Sequence, residues 1–384
     1  MNFLYENQFI KNDDLIEIIK QTKSLYPYFE NSFDGVKPKN YCGFLSIEKQ
    51  NYFIIPKITD SNNEQNLDIF IYMLLYAYDI KISNEDLANI SNTKFKIMEI
   101  FIRYFTNGLL DELKKGIYKK YITKEENLKV LKGKYLIEKN FSNFYHQNIY
   151  CEFDEFSMDN QLNQFFLYAI KTFQKYSSYS NLHLCEMMLD EVTFNHIDIN
   201  RLQINFDRLN TRFKTSFEIA LMILQRLSPL VNNSNDKGFV FLFDMAEVFE
   251  KFIGKMYQNT DKTTKLQQER NFGNLKLKPD IVTSTMIIDT KYKIIKDRVD
   301  LATNDKYQMF TYGVNFGIKN TMLLYPKHFQ KDFKDEDLKL GTGDNEVFLK
   351  MRCIDFMSDG IGYDRYIGKI IDNLNLQEEH NNGI

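Results

Sequence analysis

The run of apolar and polar positions divides the chain into stretches of different periodicity. Residues 41–58 (YCGFLSIEKQNYFIIPKI) hold two β-prone runs around a polar turn, which predicts a hairpin. Residues 69–78 (IFIYMLLYAY) are apolar or aromatic throughout but span only half the ~20 residues of a membrane-crossing helix, so they predict a buried helix. Residues 95–104 predict another. Between Asp159 and Pro229 the pattern is helical. Leu162, Phe165, Phe166, Ala169, Ile170 and Phe173 form one apolar stripe, and a second runs from Phe217 to Leu227 before Pro229 ends it. The turn-forming run NNSNDKG (232–238) marks a domain boundary. Beyond it the order is helix, strand, strand, helix, strand. The first helix carries its buried stripe on Met245, Val248, Phe249, Phe252, Ile253 and Met256. The pattern predicts a multi-domain α/β protein: a mixed α/β region over 1–150, a helical region over 151–235 and an α/β domain over 236–384.

Composition narrows the class. The 384 residues carry 43 % hydrophobic and 26 % charged side chains, a globular and not a disordered balance. The N-terminus MNFLYENQFIKNDD lacks the basic and apolar regions of a signal peptide, and four scattered cysteines show no zinc spacing. A cytoplasmic protein with free thiols and no membrane partner is the expectation. The net charge of −3 argues against a protein that holds nucleic acid by its overall charge. It conceals two local excesses. Residues 114–134 hold eight lysines against Glu125 and Glu126, and residues 261–300 hold nine basic against six acidic side chains. A solvated face is the plain reading of the first.

The chemistry concentrates in LKPDIVTSTMIIDTKYK. Residues 280–283 and 286–292 read as the arms of a hairpin around Ser284 and Thr285. Alternation puts Asp289 and Lys291 on one face, and Asp280 at the start of the paired arm lies beside Asp289. Two carboxylates and an ammonium on one face suit phosphodiester hydrolysis. Hard carboxylate oxygens hold Mg²⁺, the metal acidifies a water, and a lysine orients that water or offsets developing charge. Glu247 or Glu250 on the preceding helix can complete the metal shell. Gln308 and Tyr312 stand four residues apart, hence on one face of the next helix.

This P-D-x8-D-T-K arrangement, with a glutamate on the helix before it and the same order of elements, resembles the PD-(D/E)xK nuclease superfamily and implies its restriction-endonuclease-like α/β core. In several such nucleases a Gln in this YQ context approaches the site, which implies a role for Gln308. The whole chain resembles the McrC family, the nuclease subunit of McrBC-type restriction systems. The resemblance is carried by GFLSIEKQNYFIIPKI, NGLLDELKKGIYKKYITKEENLKVLKGKY, CEFDEFSMDNQLNQ and FLFDMAEVFEKFIGKMY…LKPDIV…IIDTKYK…DKYQMFTYG…LLYP, in order over most of residues 41–327. The first 40 residues fall outside it. Glu250 matches the family's FE pair, whereas Asp244 and Glu247 fit a capping-box-like helix start.

The resemblance implies a type IV, modified-cytosine-dependent DNA endonuclease with Asp280, Asp289 and Glu250 on the metal and Lys291 on the water. It also implies a partner, an McrB-like AAA+ hexamer that hydrolyses GTP, recognises double-stranded DNA carrying 5-methylcytosine and translocates it. By the same resemblance the N-terminal half, with the basic 114–134 stretch, is expected to engage that ring. The sequence agrees in lacking a GxxxxGK[ST] loop. Rival readings are a non-catalytic adaptor of the ring and an endonuclease that needs no ring. Asp154, Glu155 and Asp159 are read as loop and helix-start chemistry, not as a metal site.

Overall fold

The computed structural model describes residues 2–47, 50–59, 62–81, 96–144, 147–230, 238–293, 303–327, 335–358 and 360–374. The chain forms two compact units, one of Met1–Lys94 with Leu227–Ile384 and the other of Phe95–Arg226.

The first unit holds two main sheets. In the five-stranded sheet the order is Asn2–Tyr5, Gln50–Ile55, Tyr41–Ile47, Gly238–Asp244, Leu227–Leu230. The hairpin expected over 41–58 is present, with Phe44 opposite Phe53. Gly238–Asp244 runs antiparallel to Tyr41–Ile47, pairing Leu242 with Gly43. A Cβ on Gly43 would stand 2.3 Å from the Phe241 carbonyl oxygen, so only glycine admits this approach. The helix Asn63–Ala77 is capped by Asn62, whose side chain accepts from the Gln65 N–H. It buries Ile69, Phe70, Ile71, Met73, Leu74 and Leu75, as its unbroken apolar run predicts. Phe70 meets Phe53 and Phe243 edge-on, and Tyr76 meets Phe252 of the helix Met245–Thr260.

The second sheet has six strands in the order Lys265–Leu266, Ile281–Val282, Met286–Thr290, Asn320–Pro326, Val347–Ile354, Glu336–Leu340. Met286–Thr290 and Asn320–Pro326 are parallel, with Asp289 opposite Leu323. The helix Thr303–Phe316 lies between them in the chain. It buries Met309 and Tyr312 among Ile287, Leu323 and Leu349. The expected helix, strand, strand, helix, strand order is therefore present, and the whole is a mixed α/β fold.

The second unit contains the helices Lys96–Lys114, Gln161–Phe173, Ser180–Met188 and Lys214–Arg226. A three-stranded sheet accompanies them, ordered Lys120–Leu128, Ile149–Ser157, Lys134–Tyr135. The stripe read from Leu162 to Phe173 is buried and meets Phe105 and Phe217. The helix foreseen at 95–104 is longer, running to Lys114. Lys124 pairs with Glu155 and Lys134 with Glu152 across the sheet, so part of the basic stretch is neutralised locally.

These units cut the chain differently from the three segments expected. The turn-rich run lies, apart from Gly238, outside the described residues. The strands on either side of it pair antiparallel, Gly238 with Leu230, inside the first unit. The change of unit falls between Arg226 and Leu227 instead. Pro229 sits in an edge strand, where a missing N–H costs least. Local periodicity could not reveal that Gly238–Asp244 returns to a hairpin nearly two hundred residues earlier. Among the described residues no helix is long and apolar enough to cross a membrane.

Candidate active site

The hairpin builds the site from its own register. Ile281 pairs with Ile288 and Val282 with Ile287, and continuing that ladder sets Asp280 across from Asp289. The turn is fixed by Thr283, whose hydroxyl oxygen accepts from the N–H groups of Thr285 and Met286. Asp280 Oδ2 accepts from Thr290 twice, from its N–H at 2.8 Å and its hydroxyl at 2.9 Å. One residue beyond the strand, Lys291 donates its N–H to the Leu324 carbonyl at 2.9 Å.

Lys291 Nζ stands 2.5 Å from Asp289 Oδ2 and donates to Gln308 Oε1 at 3.0 Å. Gln308 Nε2 in turn faces Asp289 Oδ1 at 3.3 Å and Tyr312 Oη at 2.9 Å. Tyr312 Oη donates to the Lys278 carbonyl at 3.1 Å, which ties the helix Thr303–Phe316 to the segment entering the hairpin. The residues expected from sequence at Asp280, Asp289, Lys291 and Gln308 thus come together.

Glu250 joins them from the helix Met245–Thr260 through a residue that the pattern did not signal. The Gln267 amide donates to Glu250 Oε1 and, at 3.2 Å, to Asp280 Oδ1. Gln267 sits at a positive φ of 50° just after the strand Lys265–Leu266, and its N–H donates to the Asp280 carbonyl. No local signal marks it, because the pairing of that strand with Ile281–Val282 brings it in. Glu247 faces elsewhere and pairs with Lys251 at 2.7 Å, one turn on. Asp244 caps the helix by accepting from the Ala246 N–H, as expected of it.

Electrostatics mark the cluster. Burial, with the charge of Asp280 beside it, pushes Glu250 up to about 7 against the pull of the Gln267 hydrogen bond. Burial and Asp280 likewise raise Asp289 to about 6, although Lys291 opposes this. Burial pulls the Lys291 ammonium down, but Asp289 and the other carboxylates raise it further, so it stays charged. Among the described residues no three carboxylate, histidine or cysteine side chains converge as a ready metal cage. The donor chemistry nevertheless fits a hard divalent cation. Gln267 links the carboxylates of Glu250 and Asp280, Asp289 lies across the hairpin from Asp280, and burial together with Asp280 raises both Glu250 and Asp289, which a divalent cation would offset.

The acids of the second unit have partners of their own. Asp154 accepts from Thr123, Glu155 pairs with Lys124, and Asp159 accepts from Gln164 and from Thr193 twice. Asp154 and Glu155 lie on the strand Ile149–Ser157 and not in a loop, while Asp159 precedes the helix cap Asn160.

Fold and site define a mixed α/β protein whose second sheet ends in a cluster of carboxylates, a lysine and a glutamine. The family described as "McrBC 5-methylcytosine restriction system component" matches residues 36–326, and the chain belongs to that family. Among solved structures it is similar to a chain of the Thermococcus gammatolerans assembly of McrB AAA+ hexamers with bound McrC. That likeness has a TM-score of 0.57 at 22 % identity over 97 % of this chain and 99 % of that one. A second match, to the Thermococcus gammatolerans McrBC complex, has a TM-score of 0.47 at 25 % identity over 67 % and 87 %. No curated protein matches the sequence.

Proposed function

We propose that this chain is the Mg²⁺-dependent endodeoxyribonuclease subunit of a modified-cytosine-dependent restriction system, with a PD-(D/E)xK core formed by its second sheet. One observation carries the reading: Lys291 Nζ is held at 2.5 Å from Asp289 and 3.0 Å from Gln308, while Gln267 links Glu250 to Asp280 across the hairpin from Asp289. Asp280, Asp289 and Glu250 would hold Mg²⁺. When bound, such an ion acidifies a water and offsets charge on a phosphate. Lys291, fixed by Gln308 and Asp289, presents a donor in a half-buried setting where charge develops on the scissile phosphate. Asp280, fixed by Thr290, keeps its carboxylate beside that of Asp289.

The chain lacks a nucleotide-binding loop of its own, and its family is a component of a restriction system. It is therefore read as the McrC-type partner of an AAA+ GTPase ring that recognises and translocates DNA. The test is cleavage of methylated DNA by the chain with its ring partner, GTP and Mg²⁺. Asp289→Ala is expected to abolish cutting while stimulation of the partner's GTPase persists. Undiminished cutting by this variant overturns the assignment. Equal cutting by the wild-type chain without ring or GTP overturns the dependence on a partner.

A further inference from the structure

We propose that Glu6, in the N-terminal segment outside the family match, is a positioning residue that holds Lys291 in place through Tyr292. The inference rests on the reading of Lys291 as a site residue.

Lys291 lies one residue beyond Thr290, the last residue of the strand, where regular pairing ends. Chain leaving a strand end frays unless it is tied down. Here three successive residues are tied. The Lys291 N–H donates to the Leu324 carbonyl at 2.9 Å, and Lys293 Nζ pairs with Asp305 at 2.5 Å. Between them Tyr292 is 8 % exposed and donates its hydroxyl to Glu6 Oε1. Its ring centroid lies 6.0 Å from that of Phe249, the residue before Glu250. A shift of Tyr292 would therefore disturb both the lysine strand and the glutamate helix.

Glu6 is itself rigidly placed. It follows the edge strand Asn2–Tyr5 of the five-stranded sheet, and its N–H donates to the Ile55 carbonyl. The same Oε1 accepts from the Lys57 N–H at 2.9 Å, so one oxygen joins the hairpin of the first sheet to the strand end of the second. A carboxyl 2 % exposed is costly to bury, and a plain packing role would be filled more cheaply by leucine. Burial raises it to about 7 against the pull of these two donors, with Asp244 adding to the rise. A neutral or an ionised carboxyl keeps Oε1 as acceptor.

The test compares Glu6→Leu, Glu6→Gln and Tyr292→Phe. The first readout needs neither DNA, ring nor metal: acylation of Lys291 by an amine-reactive reagent, mapped by mass spectrometry with surface Lys276 as internal standard. Lys291 is expected to react several-fold faster in Glu6→Leu and Tyr292→Phe, and at the wild-type rate in Glu6→Gln, which keeps the acceptor. The second readout is cleavage with ring, GTP and Mg²⁺. The first two variants should lose kcat on the order of 10- to 100-fold, as small misplacements of site groups do, with the KM for DNA unchanged and Glu6→Gln restored. Should Glu6→Leu fail to fold, Tyr292→Phe, which removes one hydroxyl, carries the decision. Unchanged Lys291 acylation in Tyr292→Phe, or Glu6→Gln behaving as Glu6→Leu, overturns the proposal. Unchanged cutting in Asp289→Ala would overturn the nuclease reading instead, and the acylation result would stand apart from it.

Discussion

Gln308 Oε1 accepts a hydrogen bond from Lys291 Nζ at 3.0 Å while its amide faces Asp289 Oδ1 at 3.3 Å, so one side chain clamps both members of an ion pair. Replacing Gln308 by Leu removes the clamp from a half-buried ammonium and a buried carboxylate. The expected outcome is a fall in kcat for DNA cleavage on the order of tenfold or more, with DNA affinity little changed. Steady-state kinetics with the ring partner checks it, and a rise in KM with kcat intact would place Gln308 in DNA binding instead.

Gln267 makes the opposite kind of prediction. Its amide is the donor set between Glu250 and Asp280, two carboxylates that repel each other in its absence. Gln267→Ala should destabilise the metal-free chain by about 1.5–3 kcal/mol, the cost of a hydrogen bond to a charged group. If these acids hold Mg²⁺, added ion should recover most of the loss, since an ion that binds only the folded state stabilises it. Thermal melts in EDTA and in Mg²⁺ measure both terms.

The contrast between Gln308 and Gln267 shows what a sequence can carry. Asp280 and Asp289 belong to one hairpin, whose register sets them across from each other, and Lys291 follows one residue past its end. Helical spacing sets Gln308 on one face with Tyr312, but its place beside the lysine, like the choice of Glu250 over Glu247, is carried by the family resemblance alone. Gln267 arrives through the pairing of Lys265 with Val282, and Glu6 across 286 residues. Such contacts are fixed by which strands meet, and periodicity along the chain holds no record of that. The same reason hid the return of Gly238–Asp244 to the N-terminal sheet.

That return gives a stability prediction. With φ at +139° and a Cβ 2.3 Å from the Phe241 carbonyl oxygen, Gly43 has no room for a methyl group. Gly43→Ala should cost about 2–3 kcal/mol, through backbone strain and a widened ladder between Tyr41–Ile47 and Gly238–Asp244. Urea denaturation detects it as a lower midpoint, and a loss below 0.5 kcal/mol, a threshold of about the size of a neutral surface change, contradicts it.

Glu6 gives the chain an unusual dependence on pH. Its folded pKa, raised to about 7, exceeds the ordinary carboxylate value of 4.5. Below 4.5 both states hold the proton, and the contribution to stability is fully present. Between 4.5 and about 7 the unfolded chain has released its proton while the folded chain keeps it, so stability falls as pH rises. The loss reaches about 3 kcal/mol above pH 7, because each pKa unit corresponds to roughly 1.4 kcal/mol. Urea midpoints at pH 5 and pH 8 in EDTA should therefore differ, and Glu6→Gln should flatten that difference in part. Glu250 and Asp289 act in the same direction, which leaves a residual slope in the variant.

Tyr121 and Phe156 face each other across the strands Lys120–Leu128 and Ile149–Ser157, ring centroids 5.0 Å apart, yet are 68 % and 56 % exposed. Val130 and Leu131 are exposed among the lysines of the 114–134 stretch, and Tyr135 and Ile137 are exposed just after it. Such side chains add little to folding where they stand, and aromatic residues ringed by charge are what a protein partner buries. If this sheet engages the ring, replacing Tyr121 and Phe156 together by Ser should leave the melting temperature within a few degrees. It should lower stimulation of the partner's GTPase at least tenfold, a loss of roughly 1.4 kcal/mol or more in binding. Asp289→Ala should do the reverse, sparing GTPase stimulation and abolishing cleavage. A double Ser variant that still stimulates fully would place the contact on another face of the chain.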